Sequence, residues 1–222
     1  MLAELVRSYI REAEPVGSKA LEARLGVSSA TIRNEMCALE EAGYLAQPHT
    51  SAGRVPTLKA YELFVEHMAK PKEPGVNEQK AIREAVEQAV KDVELGVRSL
   101  AKQLAHVSGE AVVVGFTSRD VYYTGLSNLF AQPEFGQVEM VRAMGNVIDH
   151  LDEAMLLLYS AVGESVEVML GQQNPFGEDC AVVCTSCRLG NTANLIGFLG
   201  PVRMDYDANL GRLHYVKQLI AR

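Results

Sequence analysis

Arginine and asparagine stand side by side at positions 33 and 34, within SSATIRNEMCALEEA (28–42). On one face of a helix this pair could read base edges, because arginine forks onto guanine and asparagine onto adenine. A few residues later QPHTSAGRVPT (47–57) sets small hydroxyls, a histidine, a glycine and an arginine between two prolines. Thr50 and Ser51 can donate to phosphate oxygens, and Arg54 can bind phosphate or enter a narrow minor groove. His49 either contacts phosphate or braces the loop. Gly53 permits a tight bend, and Pro48 and Pro56 stiffen its two ends. The chemistry predicted is recognition of double-stranded DNA.

The elements that must carry these residues follow from periodicity. Leu2, Leu5, Val6, Tyr9 and Ile10 fall at helical spacing and stop at Glu14-Pro15. Ser18 can cap a short second helix that ends at Gly26, and Ser28 can cap a third that runs to Ala42 before Gly43. Two short helices separated by Gly26-Val27-Ser28 form a helix-turn-helix pattern. On the third helix Ile32, Met36 and Leu39 lie within about 60° of one another and predict the buried stripe. Ala30, Arg33, Asn34, Cys37 and, toward one edge, Thr31 lie outward, on the half of the helix that enters a major groove. YLAQ and RVPT predict two short strands around the loop, which makes the loop a wing, and LKAYELFVEHM predicts a further helix.

The stretch PKEPGVNEQK (71–80) reads as a linker between a DNA-binding domain over residues 1–70 and a second domain over 81–222. Apolar residues from Ile82 through Val86, Val90, Val93, Val97, Leu100 and Leu104 to Val107 alternate steps of three and four, which predicts one long helix with a heptad-like seam. AVVVGF, VEVML, CAVVCTSC and NLIGFLG read as strands. VEMVRAMGNVIDHLDEAMLLLYSA and NLGRLHYVKQLIA read as helices.

Composition narrows the class. The chain has 222 residues, 48% hydrophobic and 22% charged, with a net charge of −7. That acidity is uneven: residues 1–70 hold 8 basic and 9 acidic side chains, so a locally basic DNA-binding surface stays open. No apolar run reaches eighteen residues and the N-terminus lacks the order of a signal peptide, so no membrane partner is expected and the cytoplasm is the expected compartment. Cys180, Cys184 and Cys187 invite a metal reading, but on a strand an i, i+3 pair points to opposite faces and Cys180 and Cys184 would sit about 13 Å apart. They are expected to be buried thiols, with no metal and no cofactor. Asp149, His150, Asp152 and Glu153 read as a solvated helix face. Arg203 is expected to pair with an acid inside its domain, and Asp205 or Asp207 to cap the last helix. No nucleophile elbow, phosphate loop or dinucleotide fingerprint occurs, so an enzyme is not expected.

EPVGSKAL (14–21), SSATIRNEM (28–36), GYLAQPHTSAGRVPT (43–57), YTGLSNLFAQPEF (123–135), LGQQNP (170–175) and LGPVRMDY (199–206) resemble the heat-inducible transcription repressor family, HrcA. The resemblance implies an α+β chain: an N-terminal winged helix-turn-helix domain, then a GAF-like antiparallel sheet domain flanked by helices. It implies a homodimer that represses heat-shock (chaperone) genes from an inverted-repeat operator, with the chaperonin as a feedback partner. Carried over, the DNA contacts are Ser28, Ser29, Thr31, Arg33 and Asn34 on the third helix, His49, Thr50, Ser51 and Arg54 on the wing, and Ser18 and Lys19 on the backbone. This chain departs from the family pattern at Cys37, Glu62 and Val202. It also lacks room for the family's inserted dimerising module, since AVVVGFTSRD runs straight into VYYTGLSN. The helix seam is then the expected interface, with Val86, Val90 and Val93 meeting a partner while Leu100 and Leu104 pack on the sheet. The alternative is a winged-helix regulator whose GAF-like domain binds a small-molecule effector.

Overall fold

The computed structural model describes residues 1–117, 120–136, 138–189 and 192–221. They form two compact units, Met1–Ala69 and Lys70–Arg222.

The first unit opens with α1 (Leu2–Glu12), α2 (Ser18–Leu25) and α3 (Ser29–Glu41). Leu2, Leu5 and Val6 on α1, Leu21 on α2, and Ile32 and Met36 on α3 are buried together with Tyr61 and Phe64. Gly26 closes α2 in the left-handed conformation, where a side chain would be strained. Strands β1 (Leu45–Ala46) and β2 (Val55–Pro56) pair antiparallel, Leu45 opposite Pro56 and Ala46 opposite Val55. Val16 adds a third rung through reciprocal 2.9 Å backbone bonds with Arg54. Helix α4 (Leu58–His67) completes the unit.

In the second unit the expected long helix is two helices, α5 (Val76–Lys91) and α6 (Val93–Ser108), broken at the extended Asp92. They fold back on each other as a hairpin. Arg212 Nη2 reaches both Glu78 Oε1 at the start of α5 (2.8 Å) and the Val107 carbonyl at the end of α6 (3.2 Å). Gly96 allows the close approach, since a Cβ there would stand 2.0 Å from the Ala89 Cα. Asp92 starts α6 by accepting from the Leu95 N–H. Helix α5 also begins at Val76, inside the stretch expected as linker.

This hairpin overturns the expected place of Val86 in a dimer seam. Val86 is 4% exposed, and Ile82, Val97, Leu100 and Leu104 are also buried within the unit. Val93 is half-buried, and the side chain of Val90 lies outside the described residues. A heptad-like pattern cannot distinguish two helices that bury against each other from one helix that meets a partner.

The sheet has five antiparallel strands: β3 (Ala111–Gly115), β4 (Val121–Thr124), β5 (Glu167–Leu170), β6 (Cys180–Leu189) and β7 (Thr192–Pro201), in the order β4-β3-β7-β6-β5. Helices α7 (Leu126–Phe130), α8 (Val138–Asp149), α9 (Leu151–Ala161) and α10 (Tyr206–Ile220) complete the unit. Every residue of β3 is buried, because both sheet faces are covered. On one face Val113, Val182, Cys184 and Leu199 pack with Met144, Met155 and Leu158 of α8 and α9. On the other, α6 lies against β3 and α10 against β6.

Candidate nucleic-acid interface

Helix α3 is positioned from below by Ile32 and Met36 and capped by Ser28, whose Oγ accepts the Thr31 N–H at 3.2 Å and lies 2.9 Å from Thr31 Oγ1. Ser18 at the start of α2 and Ser29 at the start of α3 share a 2.8 Å hydroxyl bond, which sets the two helix N-termini side by side. Glu22 Oε1 accepts the Ser29 N–H at 3.4 Å. The outward face then holds Thr31, Arg33, Asn34 and Cys37, all exposed. Among the described residues no hydrogen bond or ion pair ties down the Arg33 or Asn34 side chain. Lys19 is exposed beside Ser18.

The wing is held from inside by a residue the sequence reading did not single out. Gln47 Nε2 donates to the carbonyls of Thr50 and Ala52, both at 3.0 Å, which fixes the turn around the exposed His49, Thr50 and Ser51. Gly53 is glycine for a reason other than a tight bend. Its Cβ would stand 2.5 Å from both the carbonyl carbon and the oxygen of Val16, so the third rung needs its absence.

Arg54 corrects the expected phosphate contact. Its side chain is 15% exposed and bound to Glu40 of α3, with Nη2 at 2.7 Å and Nε at 2.9 Å from Oε2. The guanidinium is spent on joining wing to helix. The signal in the sequence was Glu40 itself, near the end of α3 and beside the strand that returns from the wing. Between α3 and the wing lies an open groove of about 400 Å³, lined by Ser18, Arg33, Cys37, Thr50 and Ser51 among others. Its lining offers two arginines, one of them (Arg54) already paired with Glu40, together with several hydroxyls and a thiol, which suits a phosphodiester and the base edges beside it.

In the second unit Cys180, Cys184 and Cys187 lie on β6 as buried free thiols. Burial pushes them up to about 12, 12 and 11, so they are neither nucleophiles nor ready metal ligands. Asp149, His150, Asp152 and Glu153 are exposed around the break between α8 and α9. Arg203 does pair inside its unit: Nε and Nη2 reach the two carboxylate oxygens of Glu134 at 2.5 and 3.1 Å. Asp205 caps α10 through the Ala208 N–H. No described helix is long and apolar enough to cross a membrane.

Comparison with known proteins bears on both units. A family model described as "Winged helix-turn-helix transcription repressor, HrcA DNA-binding" matches residues 1–69, and one described as "HrcA protein C terminal domain" matches residues 66–209. The heat-inducible transcription repressor HrcA of Streptomyces albus G is 48% identical over 120 residues, which cover 53% of this chain and 35% of that one. That of Thermobifida fusca is also 48% identical, with the same coverage. The match therefore spans about a third of those relatives. The repressor HrcA of Halalkalibacterium halodurans aligns over 323 residues at 26% identity, covering 98% of this chain and 94% of its own. Since this chain has 222 residues, at least 101 positions of that alignment have no counterpart here. A crystal structure of a hypothetical protein, at 19% identity, superposes with a TM-score of 0.73 over 99% of this chain and 95% of that one, a likeness of fold.

Proposed function

The chain belongs to the HrcA family of heat-inducible transcription repressors, and on that premise we propose that it is a sequence-specific DNA-binding repressor of heat-shock genes, acting as a homodimer on an inverted-repeat operator. The observation that carries this reading is the exposed Arg33–Asn34 pair, unpaired among the described residues, on a capped α3 beside a braced wing. In the proposed complex the N-terminal half of α3 enters the major groove, where Arg33 and Asn34 read bases and Thr31 supports them. Ser28 and Ser29 sit at the helix N-terminus, where backbone N–H groups favour a phosphate. Ser18 and Lys19 on α2 and His49, Thr50 and Ser51 on the wing hold the flanking backbone. Arg54 serves by holding the wing against α3.

One winged helix reads one half-site, so an inverted repeat calls for a two-fold pair of chains. With Val86 buried in its own unit, that pair calls for more than the expected α5–α6 seam. The chaperonin is the proposed feedback partner, and co-purification from a heat-shocked lysate tests it. The central test is selection of bound duplexes from a random pool. Enrichment of one inverted repeat is the expected result. A pool that stays unenriched, or yields only single half-sites, sinks the dimeric repressor reading.

A further inference from the structure

The composition of residues 71–80 is that of a flexible linker, yet its first half is bonded down. The Lys70 N–H donates to Asp207 Oδ1 at 2.7 Å, and the Lys72 N–H donates to the Asp207 carbonyl at 2.8 Å. One turn along α10, Gly211 leaves the room this segment needs: a Cβ there would stand 1.7 Å from the Lys72 oxygen and 2.6 Å from its carbonyl carbon. Pro74 is buried, and Gln79 Nε2 donates to Glu73 Oε1 at 3.0 Å and to the Pro74 carbonyl at 2.9 Å. On the other side of the boundary, the Ala69 N–H donates to the Phe64 carbonyl at 2.7 Å, and Arg7 Nη2 donates to the Met68 carbonyl at 3.0 Å. Ala69 and Lys70 are thus consecutive residues, each hydrogen-bonded within a different unit. No free residues separate them.

We infer that Asp207 and Gly211 are positioning residues for operator binding: they dock residues 70–74 on α10 as a strap, so the DNA-binding unit is attached at a fixed point and not through a flexible tether. The inference rests on the proposed reading of two half-sites by a pair of chains. Its physical content is effective concentration. A tether of several free residues lets the second winged helix find half-sites over a range of spacings, whereas a fixed attachment favours the spacing it fits. Half-site spacing is then set partly by α10, and whatever moves the start of α10 changes operator affinity without touching a DNA contact.

The test uses the full chain with Asp207→Ala, Asp207→Asn and Gly211→Ala. Asp207→Asn keeps an oxygen for the Lys70 N–H and serves as the rescue. Amide exchange at Lys70 and Lys72, read without DNA, reports whether the strap is docked. Binding is measured on an inverted-repeat duplex selected by the wild-type protein, on the same duplex with one half-site scrambled, and on duplexes with the spacing altered. Asp207→Ala and Gly211→Ala are expected to speed exchange at both amides and to lower affinity for the intact duplex by about tenfold. They should leave the scrambled duplex unaffected and flatten the dependence on spacing, while Asp207→Asn follows the wild type. Faster exchange with unchanged affinity and spacing dependence would reduce the strap to packing and overturn its role. An equal loss on both duplexes also overturns it, as does unchanged exchange in both disruptive variants. A wild-type protein that binds no duplex overturns the DNA-binding reading itself, while the exchange data still report the docking.

Discussion

Arg54 and Glu40 meet on one oxygen: the guanidinium places Nη2 at 2.7 Å and Nε at 2.9 Å from Glu40 Oε2. The pair joins the returning strand of the wing to α3. With side chains 15% and 34% exposed, it is more shielded than an ordinary surface ion pair. Such a charge-assisted contact contributes about 1–2 kcal/mol, discounted for the exposed acid. Arg54→Ala and Glu40→Ala should each destabilise the protein, and the double variant should cost less than the two losses added together. A double-mutant cycle in urea reads this directly. Strict additivity would mean that the contact does not hold the wing.

Arg33→Ala should act differently, because among the described residues no hydrogen bond or ion pair holds that exposed side chain. Stability is expected to stay within about 0.5 kcal/mol of wild type. Specific binding should weaken by about 1–3 kcal/mol and lose preference at one base position per half-site. Selection from a random pool with the variant identifies that position. Equal loss on selected and random duplexes would reassign Arg33 to the phosphate backbone.

Gly53→Ala tests the third rung of the wing. Its Cβ would meet backbone on three sides, 2.5 Å from the Val16 carbonyl carbon and oxygen and 2.8 Å from the Pro15 carbonyl carbon, where no side chain can yield. Forcing the strand apart should cost about 1–3 kcal/mol. Gly17→Ala, with nothing within 4 Å, is the steric control and should cost only the smaller loss of a glycine N-cap on α2, about 0.5 kcal/mol. Thermal unfolding of the two variants separates a steric requirement at Gly53 from the ordinary cost of replacing a glycine.

These cases show what the sequence makes legible. Helices α1 to α3, the wing strands and strands β3, β5, β6 and β7 follow from periodicity and stop signals, since each buries a stripe with its own period. The exposure of Arg33 and Asn34 is equally legible, because helical period alone sets them opposite the buried Ile32 and Met36. Roles that depend on a distant partner were not. Arg54 looks like a phosphate ligand until Glu40 stands beside it, and Gly53 looks like a bend until Val16 does. The α5–α6 hairpin hid for the same reason: Val86 and Leu100 keep one seam spacing whether the chain runs straight or folds at Asp92. Strand β4 is not legible in the sequence because VYYT is short and lies at the sheet edge, where burial imposes little pattern.

Glu110 gives the last prediction. It is 6% exposed at the junction of α6 and β3, and Oε2 has no hydrogen-bond partner among the described residues. Burial raises its carboxyl from an ordinary 4.5 to about 8, opposed by Arg203 and Arg212 and assisted by Asp205 and Glu134. The folded protein therefore holds this proton where the unfolded chain has released it. Below about pH 4.5 the group is protonated in both states and costs nothing; between about 4.5 and 8 stability falls as pH rises; above 8 the cost of the buried charge is fully present. Glu110→Gln keeps the shape of the neutral acid and cannot ionise. The variant should match wild type near pH 4.5 and exceed it by a few kcal/mol, on the order of 3, at pH 8. Urea unfolding at both pH values measures the difference. Parallel curves for the two proteins would mean that Glu110 ionises in the folded state as readily as in the unfolded one, with Arg203 or Arg212 turning from its present acid to meet it.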